Sequence, residues 1–507
     1  MGKLRVASIL FLLSTFFLKF SSMIREMVIS RLFGASYEAD VYFAAMTIPN
    51  AIVLFMLTGM KDAFLPSYYK YDRLGQGFSH LTNIVKGTFW ISLGVSIIGA
   101  AISPFLVQTV YPEFGKYEHG FEIAAWTAAL YFFSIALVGV NAVYEGYFDS
   151  QKKFSFSTFS QTVVVLCTIG SALLFHKILG VYSLPIGYLV GTFVSFIIKL
   201  VYLKPSKFLN WKQKMDISEI RQFYHIFWPV GLTIAVGQIN LMVNMFFAAR
   251  LGEGVVSHLN YAFRLVNIPQ AIFGVTIATI IYPILASAQS DQNRDMFKRG
   301  IEKGLIYMFA FLAPTVVGMT ILMKPLVQTF YEGGAFTAEA TAATSQYAVF
   351  YLGSVLFYSI QAVIAKGFYT LEKGHYMMRI GMISIVVNIF SNWILSYLMG
   401  PVGLALSASI VGMIYSLITF TTLYRISGGF SLMSIGKEYS KSIIASMAMA
   451  AILVWVGSLG LIMEMHHILY LIIMIGIGAV IYFLALFLLR SEPLKEILAR
   501  SGKVKSS

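Results

Sequence analysis

The sequence predicts an all-α polytopic membrane protein. Of its 507 residues, 58% are hydrophobic and only 12% are charged, and the mean hydropathy is +0.76. A soluble domain needs a polar surface that this composition does not supply. Apolar stretches of about 20 residues, long enough to cross a bilayer as helices, recur along the whole chain. Short polar or charged loops separate them, which leaves almost no sequence for a soluble domain.

Fourteen membrane spans are predicted from these stretches. They lie at 7–31, 38–64, 84–110, 121–147, 156–177, 181–203, 222–250, 261–286, 303–331, 343–371, 376–398, 401–424, 438–461 and 466–490. The first span follows Lys3 and Arg5, as the apolar part of a signal peptide would. It contains Lys19, Arg25 and Glu26 and lacks an A-x-A-like cleavage site, so we predict a retained helix.

The basic residues are distributed unevenly between alternate loops. One set of loops holds most of them, at Lys70, Arg73, Lys152, Lys153, Lys204, Lys207, Lys212, Lys214, Arg294, Lys298, Arg299, Lys437, Lys441 and the tail from Arg490 to Lys505. The alternating set holds little beyond Arg31, Lys116, Lys177 and Arg250. The positive-inside rule therefore predicts that both termini lie in the cytoplasm. This topology accounts for most of the formal net charge of +14. Nucleic-acid binding would need a basic soluble domain, and the sequence predicts none.

Short motifs recur in the second half of the chain and indicate an internal duplication. LVQTVY at 106–111 returns as LVQTFY at 326–331, and IPNAI at 48–52 returns as IPQAI at 268–272. EGYFDSQKK at 145–153 resembles KGFYTLEKG at 366–374. Gly180, Leu184 and Gly191 correspond to Gly400, Leu404 and Gly412. The shift from position 106 to position 326, which we call the repeat interval, relates all these matches to within one position, so chance is a poor explanation.

The duplication predicts the domain organisation. Six spans per copy make both copies enter the membrane from the same side, as in parallel-repeat transporters. We expect an N-lobe at 1–203, a basic cytoplasmic linker at 204–221 and a C-lobe at 222–424. Residues 425–507 would hold spans thirteen and fourteen and a basic tail, with no counterpart in the first copy. Such folds bind their substrates in a cleft between the lobes and transport them by rocking.

Polar and charged residues inside the predicted spans indicate the substrate. Ser14, Ser21, Ser22 and Arg25 line up on one face of the first span, next to a stripe of Lys19, Ser22 and Glu26. The eighth span contributes Arg264. Ionisable side chains inside a membrane are costly and are functional candidates. The cations Lys19, Arg25 and Arg264 predict a cavity for an anion such as a phosphate or carboxylate.

Structural roles are the alternative for each of these residues. Lys19 could extend to the membrane surface, Arg25 could be neutralised by Asp40 or Glu26, and Arg264 could contact a helix C-terminus. Other intramembrane polar residues could line an ion path or serve as interhelical hydrogen-bonding groups. These are Gln238, Asn240, Asn244, Asn388 and Asn392.

Three segments carry a family resemblance, namely IREMVISRLFGASYEADVYFAAMTIPN, DAFLPSYYKY and NYAFRLVNIPQAIFGV. They resemble the MurJ/MviN lipid II flippases of the multidrug/oligosaccharidyl-lipid/polysaccharide exporter superfamily. The resemblance runs through both lobes and is densest in spans one, two, seven and eight. It implies a flippase that moves an undecaprenyl-diphosphate-linked peptidoglycan precursor across the bacterial plasma membrane by alternating access. In that family, spans thirteen and fourteen are thought to form a groove for the lipid tail.

The resemblance also implies site residues. Arg25 and Arg264 match the family's cavity arginines, and Lys19 stands where arginine is usual. The supporting polar residues would be Ser22, Glu26, Asp40 and Asn50.

The chain departs from the family at three places. Where relatives have a further cavity arginine, this chain has Val53 and Leu54 after Pro49 and Asn50. EKGHYMM at 372–378 replaces a D-T-x-T-P signature. The carboxylates of a sodium site proposed in some relatives are represented at the nearest positions by Asn244, Asn388 and Asn392.

The function predicted from the sequence is lipid II flipping, with export of another lipid-linked oligosaccharide, of a capsule or teichuronic type, as the alternative. A drug antiporter would need an acidic cavity, whereas the predicted cavity is basic. A membrane glycosyltransferase or phosphatase would need carboxylates or histidines in a sizeable loop, and none of the predicted loops is long enough. The buried charges argue against a nontransporting scaffold. Glu464, His466 and His467 are read as an outer loop and no metal site is predicted.

No cofactor is predicted. Reset of the transport cycle would use the membrane potential or a cation gradient, and the partners would be the lipid-linked substrate, membrane lipid and cell-wall synthesis enzymes.

Overall fold

The described part of the chain, residues 2–203, 209–459 and 466–496 of a computed structural model, is almost entirely helical. Each of the fourteen predicted spans coincides with a helical segment, so the predicted fold class is confirmed. The α-helices are α1 (Gly2–Phe33), α2 (Tyr37–Asp72), α3 (Gly77–Val110), α4 (Gly120–Ser150), α5 (Phe154–Leu179), α6 (Ser183–Leu203), α7 (Ile217–Ala248), α8 (Val255–Pro269), α9 (Val275–Ser290), α10 (Arg294–Tyr331), α11 (Ala338–Thr370), α12 (Gly374–Met399), α13 (Pro401–Ile426), α14 (Leu432–Gly457) and α15 (His467–Leu488).

Some predicted features fall outside the described residues. They are the first part of the basic linker at 204–208, Glu464 of the outer loop, and the basic tail from residue 497 onward.

The eighth predicted span is two helices rather than one. A π-helical turn at Gln270–Gly274 joins α8 to α9. It begins directly after Pro269, which has no N–H to donate to the preceding turn and therefore disturbs the α-helical hydrogen bonding.

The protein is a multi-pass membrane protein. By length and hydropathy, eleven segments of the described residues qualify as membrane spans, and one of these, Phe154–Leu203, contains both α5 and α6.

The helix bounds recur at the repeat interval of the sequence motifs. Phe154–Leu179 and Gly374–Met399 are both 26 residues long, and their first residues are related by the same shift as the motifs. Each ends at a glycine with a left-handed backbone, Gly180 at φ +53° and Gly400 at φ +61°. Glycine tolerates this conformation because it has no Cβ. This agreement supports the internal duplication.

The helices form two compact units. Unit 1 comprises Met1–Ser257 with Gly333–Phe336, and unit 2 comprises His258–Glu332 with Thr337–Ser507. Helix α7, which the repeat pattern assigns to the second copy, packs in unit 1 against α2. There the rings of Phe55 and Phe227 lie 4.8 Å apart, and a Cβ on Gly231 would come within 2.2 Å of Phe55. The lobe boundaries drawn from the repeat stay a prediction.

Small residues allow close helix packing inside unit 1. The hydroxyl of Ser96 on α3 donates to the carbonyl of Phe132 on α4 at 2.7 Å and accepts from the Ala136 N–H at 2.9 Å. Gly99, one turn later, leaves room for the Phe132 ring, which a Cβ would approach within 2.1 Å. Close approach of small residues and interhelical hydrogen bonds are the usual means of packing helices in membranes.

In unit 2, the additional helices α14 and α15 pack on α10. Their shared core includes Leu322, Met449, Leu453 and Met474, all nearly fully buried. The Tyr482 hydroxyl of α15 donates to the Ala310 carbonyl of α10 at 2.5 Å. The two last helices are therefore anchored to the ninth predicted span.

Candidate functional site

Three of the predicted substrate-binding residues of the first span line one cavity in unit 1, which we call the unit 1 cavity. Its volume is about 220 Å³. Lys19, Ser22 and Arg25 all lie on α1 and form what we call the α1 wall. The lining residues are Leu18, Lys19, Ser22, Arg25, Val53, Leu57, Val138, Asn141, Glu145, Gln161, Val164, Val165, Tyr188, Thr192 and Ser195.

The Arg25 guanidinium is paired on one side only. Its Nη2 donates to the Glu26 Oε1 at 2.7 Å, and the two side chains are 20% and 5% exposed. The buried Nε of Arg25 has no hydrogen-bond partner among the described residues. A guanidinium offers five N–H donors. Arg25 therefore keeps N–H donors for a ligand in the cavity. Glu26 balances part of its charge, which was one of the structural alternatives given for Arg25.

The rest of the cavity lining includes polar residues of α4, α5 and α6, which the sequence analysis missed. They are Asn141 and Glu145 of α4, Gln161 of α5, and Thr192 and Ser195 of α6. We call these five residues the α4–α6 wall. The signal was present, because Glu145 lies inside the fourth predicted span and Glu is rare inside membranes.

A buried lysine stands behind this wall. Lys199 of α6 is fully buried and lies 3.5 Å from Glu145 Oε1. Its ammonium also donates to Asn141 Oδ1 and to the Ser195 hydroxyl, both at 3.0 Å. Such a pair is retained only when hydrogen bonds satisfy its remaining groups, as they do here. The sixth predicted span contained Lys199, so the same rule for intramembrane charges would have found it.

Asp40 contacts the start of α8. Its carboxylate is buried and accepts the Gly254 N–H at 2.6 Å and the Ser257 N–H at 2.7 Å. These N–H groups belong to the start of α8, where a helix leaves its first donors unsatisfied. Within the described part of the chain, neither Asp40 nor Asn50 lines the unit 1 cavity. Asp40 acts as a cap for α8.

Replacing Asp40 with alanine is expected to lower the free energy of unfolding by about 1–3 kcal/mol, because two N–H groups lose a charged acceptor. Denaturant unfolding of the detergent-purified protein measures this change. Glu38→Ala, a half-buried carboxylate in the same first turn of α2, is the matched control and should have a smaller effect. Equal effects of the two variants would contradict the capping role.

Arg264 lies on α8 in unit 2 and is exposed. The next residue, Leu265, and Ile268, one turn further, line an apolar cavity of about 450 Å³, which we call the unit 2 cavity. Its other lining residues come from the π-helical turn and from α10, α14 and α15.

The polar positions predicted for an ion path are on two helices. Gln238 and Asn244 are half-buried on α7; Asn388 and Asn392 are buried on α12, where Asn392 Nδ2 donates to Asn388 Oδ1 at 3.1 Å.

The family model described as Lipid II flippase MurJ matches residues 29–475 of the chain. This match covers most of the chain. The chain belongs to the MurJ family.

Curated MurJ relatives cover the chain broadly. A Burkholderia cenocepacia protein named Lipid II flippase MurJ is 26% identical over 417 residues, which is 79% of this chain and 80% of the relative. A Thermotoga maritima protein named Probable lipid II flippase MurJ is 24% identical over 503 residues, which is 97% of this chain and 98% of the relative. The family predicted from the sequence is confirmed, and with it the expectation of a transport protein rather than an enzyme.

Solved structures agree with the MurJ assignment. A lipid II flippase MurJ in an inward closed conformation superposes with a TM-score of 0.80 at 25% identity, over 94% of this chain and 98% of that one. An inward-facing MATE multidrug resistance transporter gives 0.66 at 13% identity, over 81% and 94% of the two chains. The second likeness shows a shared fold.

The departure from the MurJ pattern at Val53 lies in the unit 1 cavity itself. Val53 lines the cavity, close to where the sequence resemblance led us to expect an arginine. In the described part of unit 1, the cations that line the cavity therefore come from α1 alone, as Lys19 and Arg25.

Proposed function

We propose that this chain is a lipid II flippase, which moves the polyprenyl-diphosphate-linked peptidoglycan precursor from the inner to the outer leaflet of the bacterial plasma membrane. The observation that carries the proposal is the α1 wall of the unit 1 cavity, which Lys19 and the partly paired Arg25 line together. Guanidinium groups bind phosphate oxygens in a bidentate manner and are weakly hydrated, so they suit a diphosphate in a low-dielectric site.

The volume of the unit 1 cavity suits part of a head group. At about 220 Å³ it is smaller than the roughly 300–1,000 Å³ of pockets that enclose a drug-sized ligand. We infer that it takes the diphosphate and a neighbouring part of the glycan.

The unit 2 cavity suits the polyprenyl tail. Its lining includes Phe273, Phe311, Met319, Met449 and Phe483, and it lies where the additional helices α14 and α15 meet α10. Hydrocarbon chains gain about 0.8 kcal/mol for each buried CH₂ group. This apolar cavity would hold part of the tail, and exposed Arg264 stays a predicted diphosphate contact.

Transport would occur by alternating access, with both termini in the cytoplasm. A ligand shifts a conformational equilibrium only by its differential affinity for the two states, so the cationic residues must bind the diphosphate more tightly in one of them. Reset would use the membrane potential, worth about 2.3 kcal/mol per charge per 100 mV, or a cation gradient. Gln238, Asn244, Asn388 and Asn392 are the proposed ion path. Membrane lipid and cell-wall synthesis enzymes are the proposed partners.

Export of another lipid-linked oligosaccharide is the second candidate. The observation that favours it is Val53, which lowers the positive charge of the cavity relative to the family pattern. A diphosphate-linked capsule or teichuronic-type unit would use the same α1 wall.

Complementation distinguishes the two candidates. A bacterium depleted of its own lipid II flippase should grow without lysis when it expresses this chain. Depletion is lethal because lipid II no longer reaches the outer leaflet, and a lipid II flippase would restore it there. Lysis despite normal amounts of the chain in the membrane would favour the other oligosaccharides.

Replacing Arg264 with alanine is expected to reduce lipid II transport about tenfold or more, because a hydrogen bond to a charged group contributes about 1.5–3 kcal/mol. The amount of lipid II accessible from outside depleted cells measures the effect. Arg250→Ala is the matched control, since Arg250 is an exposed arginine stacked on Phe246 beyond the end of α7. Equal transport by the two variants would exclude Arg264 from substrate binding.

A further inference from the structure

We propose that the α4–α6 wall recognises hydrogen-bond donors in the glycan and peptide of the head group, through a carboxylate at Glu145 that Lys199 positions. The donors would be sugar hydroxyls and amide or ammonium N–H groups. This inference rests on the proposed function and adds to it a second subsite, on other helices than the one that carries the lining cations Lys19 and Arg25.

Glu145 is held at the cavity wall by several donors. Its Oε2 accepts from the Gln161 amide at 2.7 Å, and its Oε1 accepts from the Ser160 hydroxyl at 3.2 Å and faces Lys199 at 3.5 Å. Glu145 and Gln161 line the cavity, whereas Lys199 does not. A carboxylate has about four lone-pair positions, so these contacts leave acceptor capacity for a ligand.

The duplicated fold does not require a carboxylate at this position. The corresponding helices of the two copies end at the C-caps Gln151 and Leu371, which the repeat interval relates. The same interval pairs Glu145 with Ala365, which is buried. The sequence motif EGYFDSQKK, which is shifted by one further position, pairs Glu145 with Lys366 instead. Neither residue has a carboxylate, so the second copy folds without one.

The lysine is equally dispensable for the fold. The repeat interval pairs Lys199 with Thr419, and both are 0% exposed. The match of Gly191 with Gly412, which is shifted by one further position, pairs Lys199 with Phe420 instead, and neither Thr419 nor Phe420 is a cation. The Thr419 hydroxyl donates to carbonyls of its own helix, Tyr415 at 2.9 Å and Ser416 at 3.0 Å. Burying an ion pair costs several kcal/mol per ion before its attraction is counted. Only the first copy has the buried ion pair of Glu145 and Lys199 and its desolvation cost. The pair therefore indicates a role beyond folding.

The chemistry of the wall selects donors rather than anions or cations. A diphosphate would be repelled by Glu145 and is attracted instead by Lys19 and Arg25, which line the same cavity from α1. A free cation would compete with the Lys199 ammonium, which already lies beside the carboxylate. Neutral or cationic donors on a bulky head group fit a carboxylate with amide and hydroxyl neighbours such as Asn141, Gln161 and Ser195.

The test compares two probes on the purified full chain in nanodiscs. Lipid II carries the glycan and peptide, and polyprenyl diphosphate lacks them. The Kd of each is measured for the native chain and for the double variant Glu145→Ala, Lys199→Thr, which introduces the residues that the second copy has at these buried positions. We expect the native chain to prefer lipid II and the double variant to lose this preference by about tenfold or more, as for hydrogen bonds to a charged group.

Two further variants separate recognition from folding. The double variant Lys61→Thr, Asp149→Ala removes another ion pair, whose charged atoms lie 2.8 Å apart. Asp149 lies one turn after Glu145 on α4, and neither residue lines the cavity. This variant should leave the preference for lipid II unchanged. Lys199→Arg keeps the cation and should restore most of the preference that Lys199→Thr loses. If the double variant does not fold, Glu145→Gln provides the same comparison with an isosteric neutral side chain.

Each remaining outcome overturns the inference in a distinguishable way. A double variant that keeps the native preference excludes the wall from recognition and leaves the proposed function intact. A native chain that binds both probes equally shows that the glycan and peptide are not recognised at all. A native chain that binds neither probe overturns the proposed function together with the inference.

Discussion

Replacement of Arg25 by alanine is expected to abolish lipid II transport while the protein still reaches the membrane. Arg25 lines the unit 1 cavity and keeps N–H donors beyond its contact with Glu26. In that cavity Lys19 is the other lining cation of the described residues, and it is a single flexible ammonium that cannot bind a phosphate in a bidentate manner. Loss of the guanidinium therefore removes the main diphosphate contact. Lipid II accessible from outside flippase-depleted cells measures the result.

The control for Arg25→Ala must account for stability. Breaking a buried ion pair by removing one partner costs about 3–5 kcal/mol, and less where the pair is partly exposed, as Arg25 is. Glu26→Gln removes the same ion pair but keeps the guanidinium, so it should retain much more transport than Arg25→Ala. Comparable losses in both variants, at equal amounts in the membrane, would attribute the effect to the ion pair and contradict diphosphate binding by Arg25.

Filling the unit 2 cavity is expected to block transport without loss of stability. Gly318 of α10 lines this cavity, and a Cβ there would meet only the Met449 Cε, at 3.8 Å. Gly318→Phe would place a ring in the space proposed for part of the polyprenyl tail. The ring gains apolar contacts, so the unfolding midpoint should be maintained or raised. We expect transport to fall about tenfold or more, because even a few excluded CH₂ groups at about 0.8 kcal/mol each reach that size.

Gly476→Phe is the matched control for Gly318→Phe. Gly476 is an exposed residue of α15, and a Cβ there has no atom within 4 Å. It adds the same ring at the surface of the same helix group. Full transport by Gly318→Phe would show that the tail does not use the unit 2 cavity.

The membrane spans were predictable from the sequence because the bilayer sets their length and the apolar composition marks them. The helix bounds recur at the repeat interval, as at Gly180 and Gly400, in agreement with the internal duplication. The π-helical turn after Pro269 was not predicted, since a proline in a membrane helix can be accommodated in several ways. Helix α7 likewise packs in unit 1 through Phe55 and Gly231, a contact that no repeat pattern contains.

The site was only partly predictable because sequence spacing gives faces of one helix but not neighbours on another. Two adjoining stripes on α1 were predicted, one with Ser22 and Arg25 and the other with Lys19 and Ser22, and these three residues line one cavity. The partners of Asp40, Gly254 and Ser257, are far from it in the sequence, so its capping of α8 could not be read from its own helix. Glu145 and Lys199 were available as intramembrane charges, but only the fold brings α4 and α6 together.

The most direct test of the central claim is a leaflet assay for lipid II in cells depleted of their resident flippase and expressing this chain alone. A flippase of lipid II should restore the precursor to the outer leaflet, at a level that Arg25→Ala reduces to that of depleted cells. Absence of outer-leaflet lipid II, with the native chain confirmed in the membrane, would contradict the proposed function.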